Sequence, residues 1–216
     1  MLFQPNERLV MIGDSITDVE RKRPVGEGRN AGTGKGYVSF VEALLDSVYP
    51  ELALRVTNMG ISGNTVRDLD ARWQTDVLDL NPDWVSIMIG INDVWRQFDQ
   101  PRLKETHVLI SEYEATLDKL VAVTLPEVKG IILMTPFYIE PNADDPMRAM
   151  MDRYGSVVKR IAAKYGCPCA DTQAALEPVL RELYPGALAW DRVHPSSTGH
   201  MVLARAFLNT VGFQWK

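Results

Sequence analysis

The sequence predicts a three-layer α/β/α sandwich, flavodoxin-like, built on a five-stranded and mainly parallel sheet. Three observations carry that expectation. Short apolar runs of strand length recur along the chain, and stretches with helical spacing separate them. Those runs are nearly continuous rather than alternating, the pattern of strands buried on both faces and therefore of a parallel sheet covered by helices. With 216 residues, 46% of them hydrophobic, and no Pro/Gly/Ser-rich linker, the chain fits one domain spanning 1–216 with a sizeable core.

The elements follow in order. Residues 8–12 form a first strand that Gly13 stops, so Ser15 sits on the turn leaving its carboxyl end. Residues 20–36, rich in Gly, Arg and Lys without apolar periodicity, read as a surface loop leading to a helix at 37–48, which Pro50 closes. A second strand is expected at 52–58. Residues 59–64 then turn into a helix at about 65–80, where Thr65 and Asp68 have the spacing of a capping box. A third, almost wholly apolar strand at 83–90 ends at Ile91-Asn-Asp93, and helical spacing runs from 105 to 125. The unit repeats with a strand at 129–135, a helix at 146–165, a short strand at 168–171, a helix at 173–183 and a last helix at 197–211.

A strand order of 2-1-3-4-5 puts the point where the order reverses between strands one and three. Ligands bind in the crevice outside the carboxyl ends at that point. Ser15 follows strand one and Asn92 follows strand three, so both belong to that crevice.

A serine hydroxyl is a weak nucleophile at neutral pH and needs a base, which in turn needs an orienting acid. Both are present near the far end of the sequence, where Asp191 stands three residues before His194. One turn lets that carboxylate hold one imidazole nitrogen while the other faces outward. Acyl transfer also needs donors aimed at the oxyanion of the tetrahedral intermediate. The Ser15 backbone N–H, the Gly63 backbone N–H and the Asn92 side-chain amide converge on the same sheet edge, and an amide donates without adding a titrating charge. With His194 as base, activity should climb as pH rises through the titration of the imidazole.

Each piece taken alone has a plain structural reading. Gly-Asp-Ser can be a strand-ending turn, Asp191 and His194 a surface cap or ion pair, Asn92 a turn residue and Gly63 a helix-entry glycine. Their joint placement at the carboxyl ends of the right elements is what points to catalysis.

Together, Gly13-Asp14-Ser15, Gly63, Gly90-Ile-Asn92 and Asp191-Arg-Val-His194 resemble the four blocks of the GDSL, or SGNH, hydrolases, in order and over the whole chain. The resemblance implies Ser15 as nucleophile, Gly63 and Asn92 as oxyanion-hole donors, His194 as general base and Asp191 as its orienting carboxylate. Ile16 stands where the short motif has Leu, an apolar exchange. Longer strings, Ile61-Ser-Gly-Asn-Thr-Val-Arg-Asp68, Ser86-Ile-Met-Ile-Gly-Ile-Asn-Asp-Val-Trp-Arg96, Met134-Thr-Pro-Phe-Tyr-Ile-Glu140 and Leu188-Ala-Trp-Asp-Arg-Val-His-Pro195, are similar to those of bacterial intracellular acetylxylan esterases within that family. They imply removal of acetyl groups from an acetylated xylo-oligosaccharide, and assembly into a homo-oligomer.

Other features bound the partners. The net charge of −5 is spread over 28 acidic and 23 basic residues with no Lys/Arg run longer than Arg21-Lys-Arg23, which argues against nucleic acid. The amino terminus lacks a signal-peptide pattern and no apolar run is long enough to span a bilayer, so a soluble cytoplasmic protein without a membrane partner is expected. Cys167 and Cys169 are too close to staple distant segments and, without a second pair, make a poor zinc site; reduced thiols beside a buried strand are expected, with no metal and no cofactor. His107 and His200 lack metal-ligand spacing and read as structural or solvated. Gly34-Lys35 lacks the rest of a P-loop, and no Gly-x-Ser-x-Gly elbow is present. Trp95, Phe98, Tyr138, Tyr184 and Trp190 lie near loops at the strand ends; Trp95 and Trp190, with Asp14, are the candidates for substrate contact.

Two other functions use the same residues. One is a general short-chain esterase, thioesterase or lysophospholipase. The other, from a different class, is a flavodoxin-like module binding an anion at a helix terminus.

Overall fold

The structure, a computed structural model, describes residues 1–215. Five strands, β1 (Arg8–Gly13), β2 (Arg55–Asn58), β3 (Trp84–Met88), β4 (Gly130–Met134) and β5 (Cys169–Ala170), pair in parallel in the order β2-β1-β3-β4-β5. This is the predicted order. β1 lies between β2 and β3, with Leu9 opposite both Val56 and Trp84. Its side chains Leu9 to Ile12 are wholly buried, as are Ile131 to Leu133 of β4, which is why these strands carry unbroken apolar runs. Each such side chain contributes about 1.5–3 kcal/mol of transfer free energy on burial.

Nine helices accompany the sheet among the described residues: α1 (Ser15–Asp18), α2 (Tyr37–Val48), α3 (Val66–Asp76), α4 (Ile91–Asp99), α5 (Ile110–Thr124), α6 (Pro146–Tyr165), α7 (Thr172–Leu180), α8 (Pro185–Leu188) and α9 (Ser197–Thr210). α9 packs on α2 and α7, while α5 packs on α3 and α6, giving the two outer layers. No helix among the described residues is long and apolar enough to cross a membrane. The capping box at the start of α3 is present, with the Thr65 N–H donating to the Asp68 carboxylate at 2.7 Å.

Several boundaries differ from expectation for identifiable reasons. β2 begins at Arg55 rather than 52, because Pro50–Leu52 form a 3-10 turn closed by Ala53 in the left-handed region; Leu52 reaches the core from that turn. The helix expected at 65–80 stops at Asp76, and Leu78–Leu80 tighten into a 3-10 turn. The helix expected at 105–125 begins at Ile110, preceded by a 3-10 turn at Lys104–Thr106. His107 is therefore not helical; its ring Nε2 lies 3.0 Å from the Gln100 carbonyl.

Two larger differences bear on function. The loop at 20–36 is more than a surface excursion, because Arg21 is buried within it and its Nε donates to the Gly60 carbonyl at 2.6 Å. Residues 91–93, read as the end of a strand, instead open α4. The spacing of Ile91, Val94, Trp95 and Phe98 is the helical signal that identifies it.

Candidate active site

Ser15 is the first residue of the one-turn helix α1, at the carboxyl end of β1. Gly13 makes the sharp exit: a Cβ there would lie 2.4 Å from the Met88 carbonyl oxygen and 2.4 Å from the Thr17 hydroxyl, so no larger residue fits. Asp14 caps the turn by accepting the Ile16 N–H at 2.9 Å. The Asp14 side chain is 1% exposed, which corrects its expected contact with substrate: it supports the serine turn from beneath. Burial pushes its carboxyl up to about 7 despite the Ile16 N–H and the nearby His194.

His194 and Asp191 arrive on the loop between α8 and α9. The Asp191 Oδ1 accepts the Val193 N–H at 3.0 Å and the His194 N–H at 2.8 Å, while Oδ2 lies 2.6 Å from His194 Nδ1. His194 Nε2 in turn lies 3.0 Å from Ser15 Oγ. Burial raises the Asp191 carboxyl, but the imidazole and the two backbone N–H groups outweigh it and hold it below the usual carboxylate range. An ionised Asp191 keeps the proton of neutral His194 on Nδ1 and leaves Nε2 free to accept one from the serine.

Arg192, between the two, adopts the left-handed region at φ 63°. Its carbonyl accepts the Ile139 N–H at 2.9 Å and its guanidinium pairs with Glu140, so contacts to the segment after β4 hold this unfavourable backbone in place.

The oxyanion-hole candidates lie on neighbouring elements. Gly63 has φ 85°, a conformation that favours glycine, on the turn before α3. Asn92 is in the first turn of α4, buried, and its Nδ2 donates to the Asn64 carbonyl at 3.0 Å, which leaves its second N–H for another acceptor. Arg72 of α3 gathers the surrounding backbone, donating to the Asn64 side chain, the Met59 carbonyl and the Gly13 carbonyl. Sequence reasoning missed Arg72, Asp93 and Glu140, whose partners are distant in the chain.

The Trp95 ring stands edge-on to the His194 ring with centroids 5.9 Å apart, and the Arg96 guanidinium lies 4.6 Å from the Trp95 ring centre. Trp190 and Tyr184 are 86% and 79% exposed. Phe98 lines a separate concavity with Arg67, His107 and Leu109, and Tyr138 hydrogen-bonds to Arg192. A concavity of about 750 Å³ lies at the amino ends of β3 and β4, at the end of the sheet remote from Ser15.

His200, 5% exposed, is structural and not solvated: its Nδ1 accepts the Tyr37 N–H at 3.2 Å, which requires a neutral ring. Burial, with a smaller contribution from His194, lowers its pKa from 6.5 to about 4. The unfolded chain therefore takes up a proton at a higher pH than the folded one, and stability falls as pH drops from about 6.5 to 4, by about 3 kcal/mol in full. Buried Asp14 and Asp93 act oppositely, losing stability as pH rises from about 4 to 7. Denaturation at pH 7 and pH 4 should show the wild type losing about 3 kcal/mol more than His200→Gln, and equal losses would contradict this role.

A serine, an imidazole and a carboxylate are thus joined in sequence at the rim where the strand order reverses, with the candidate amide donors on the neighbouring elements. The model of the GDSL-like lipase/acylhydrolase family matches residues 11–202. The chain belongs to that family. Among GDSL-like relatives, an acetylxylan esterase of Geobacillus stearothermophilus is 65% identical over 215 residues, covering 100% of this chain and 98% of the relative. The crystal structure of Axe2, an acetylxylan esterase of that organism, matches with TM-score 0.99 and 64% identity, covering 100% of this chain and 98% of its own. The S15A, D191A and H194A forms of Axe2, solved as catalytic mutants, each match with TM-score 0.99 and 63% identity at the same coverage. This chain has serine, aspartate and histidine at those numbers.

Proposed function

We propose that residues 1–216 form one hydrolase domain, a serine esterase that removes acetyl groups from xylo-oligosaccharides. The observation that carries this reading is the unbroken chain from Ser15 Oγ through His194 to Asp191, at 3.0 Å and 2.6 Å. His194 takes the hydroxyl proton as Ser15 attacks the ester carbonyl. The Ser15 and Gly63 N–H groups and the Asn92 amide receive the oxyanion. The tetrahedral intermediate collapses as His194 gives the proton to the departing sugar oxygen, which leaves as a hydroxyl. Water, deprotonated by the same imidazole, then attacks the acyl-serine, and His194 passes the proton to Ser15 Oγ as the acyl–oxygen bond breaks and acetate leaves.

The acetylated sugar is supported by the likeness to the acetylxylan esterases of Geobacillus stearothermophilus. Trp95, half-buried against the imidazole, is placed to wall the acyl or sugar group, and exposed Trp190 adjoins Asp191. Assembly into a homo-oligomer and residence in the cytoplasm belong to the same reading; exposed Tyr184 and Trp190 are the aromatic surface that a second copy would cover.

Turnover of acetylated xylo-oligosaccharides should be compared with that of simple esters of increasing acyl length. Acetyl should be preferred over butyryl by about tenfold or more in kcat/KM, because extra methylenes must be forced past Trp95. A rate that rises with chain length would instead assign the site to longer acyl esters.

A further inference from the structure

Asp93 is wholly buried, 0% exposed, directly after the oxyanion-hole candidate Asn92. Its Oδ1 accepts the Val66 N–H at 3.0 Å, and its Oδ2 has no hydrogen-bond partner among the described residues. Among the described residues no cation makes a direct ion pair with it. Two carboxylates face it, Asp14 beneath the serine turn and Asp68 of the α3 capping box, while the Arg67 guanidinium interacts with it electrostatically without a direct ion pair.

We propose that Asp93 is a positioning residue for the oxyanion site, tying the start of α3 to the first turn of α4 and so fixing the spacing between the Gly63 and Asn92 donors. The tie is reciprocal. Asn92 Nδ2 donates across the same junction to the Asn64 carbonyl, while Asp93 accepts from Val66, so two bonds of opposite sense lock residues 64–66 against 92–93.

The acceptor works best uncharged. An ionised carboxylate next to Asn92 would oppose the negative charge that develops on the substrate oxygen, and low-dielectric surroundings would strengthen that opposition. Burial, reinforced by Asp14 and Asp68, pushes the Asp93 carboxyl up to about 7, so the neutral acid is far more abundant than for an ordinary aspartate. An amide of the same shape keeps an oxygen to accept the Val66 N–H and carries no charge, which is why it should replace the aspartate.

This inference rests on the esterase reading, and the experiment separates the two. Asp93→Ala, Asp93→Asn and Ser15→Ala are to be compared with the wild type in kcat and KM for an acetyl ester, with thermal unfolding measured alongside. Asp93→Ala should lower kcat about 30- to 100-fold with KM within about threefold, the scale expected when donors shift by a fraction of an ångström to an ångström. Asp93→Asn should recover kcat to within about threefold of wild type, because its Oδ1 still accepts the Val66 N–H. A folded Asp93→Ala with near-wild-type kcat, a loss confined to KM, or an Asp93→Asn more than threefold impaired would each overturn the proposal. Should Asp93→Ala not fold, Asp93→Asn decides by the same threshold. An active Ser15→Ala would remove the esterase reading itself, whereas an inactive Ser15→Ala beside a fully active Asp93→Ala would remove only this inference.

Discussion

Replacing Ser15 with alanine should lower kcat for an acetyl ester about a millionfold while leaving the fold in place. The hydroxyl at 3.0 Å from His194 Nε2 is the atom the imidazole activates, and without it no acyl-enzyme forms. What remains over uncatalysed hydrolysis should come from amide donors and binding, as when a serine nucleophile is removed from other hydrolases. Stability should hardly change. The lost hydrogen bond is solvent-exposed, and the α1 turn is held by the Asp14 cap and not by the serine side chain. Steady-state kinetics with a thermal melt would check both; a folded variant keeping more than about 1% of wild-type kcat would exclude Ser15 as the nucleophile.

Asp191→Asn should cost about ten-thousandfold in kcat through the tautomer of His194. The Oδ1 of residue 191 must still accept the Val193 and His194 N–H groups, which orients the new amide so that its NH₂ faces His194 Nδ1. That nitrogen then becomes the acceptor, the ring proton moves to Nε2, and the position facing Ser15 can no longer take a proton. The loop geometry survives, so the loss should appear as rate and not as unfolding. Kinetics at the pH of maximal wild-type activity, with circular dichroism as the folding control, would check it; a variant within tenfold of wild type would contradict this role.

Much of this was legible in the sequence because it is local. The unbroken apolar runs of β1, β3 and β4 reflect burial on both faces, and the 2-1-3-4-5 order put Ser15 and Asn92 at the carboxyl ends of adjacent strands. Asp191 and His194 are three apart, so one turn defines their contact. The unread parts depend on distant partners or on departures from period. α4 was missed because its apolar spacing begins directly at the end of an apolar strand, without a polar break. Asp14 was a candidate for substrate contact because it adjoins Ser15, and only the packing of α1 onto β1 shows it buried. Asp93 and Arg192 could not be assigned from one sequence, since Val66 and Glu140, which explain them, lie 27 and 52 residues away.

Covalent labelling tests most directly whether the His194 imidazole activates the Ser15 hydroxyl. The protein and its His194→Ala variant would be treated with a fluorophosphonate and followed by intact-mass and peptide mass spectrometry. A single adduct on the peptide bearing Ser15, formed at least about a hundredfold more slowly in the variant, is the expected result. Labelling at another residue, or labelling of Ser15 at an unchanged rate without the imidazole, would contradict it.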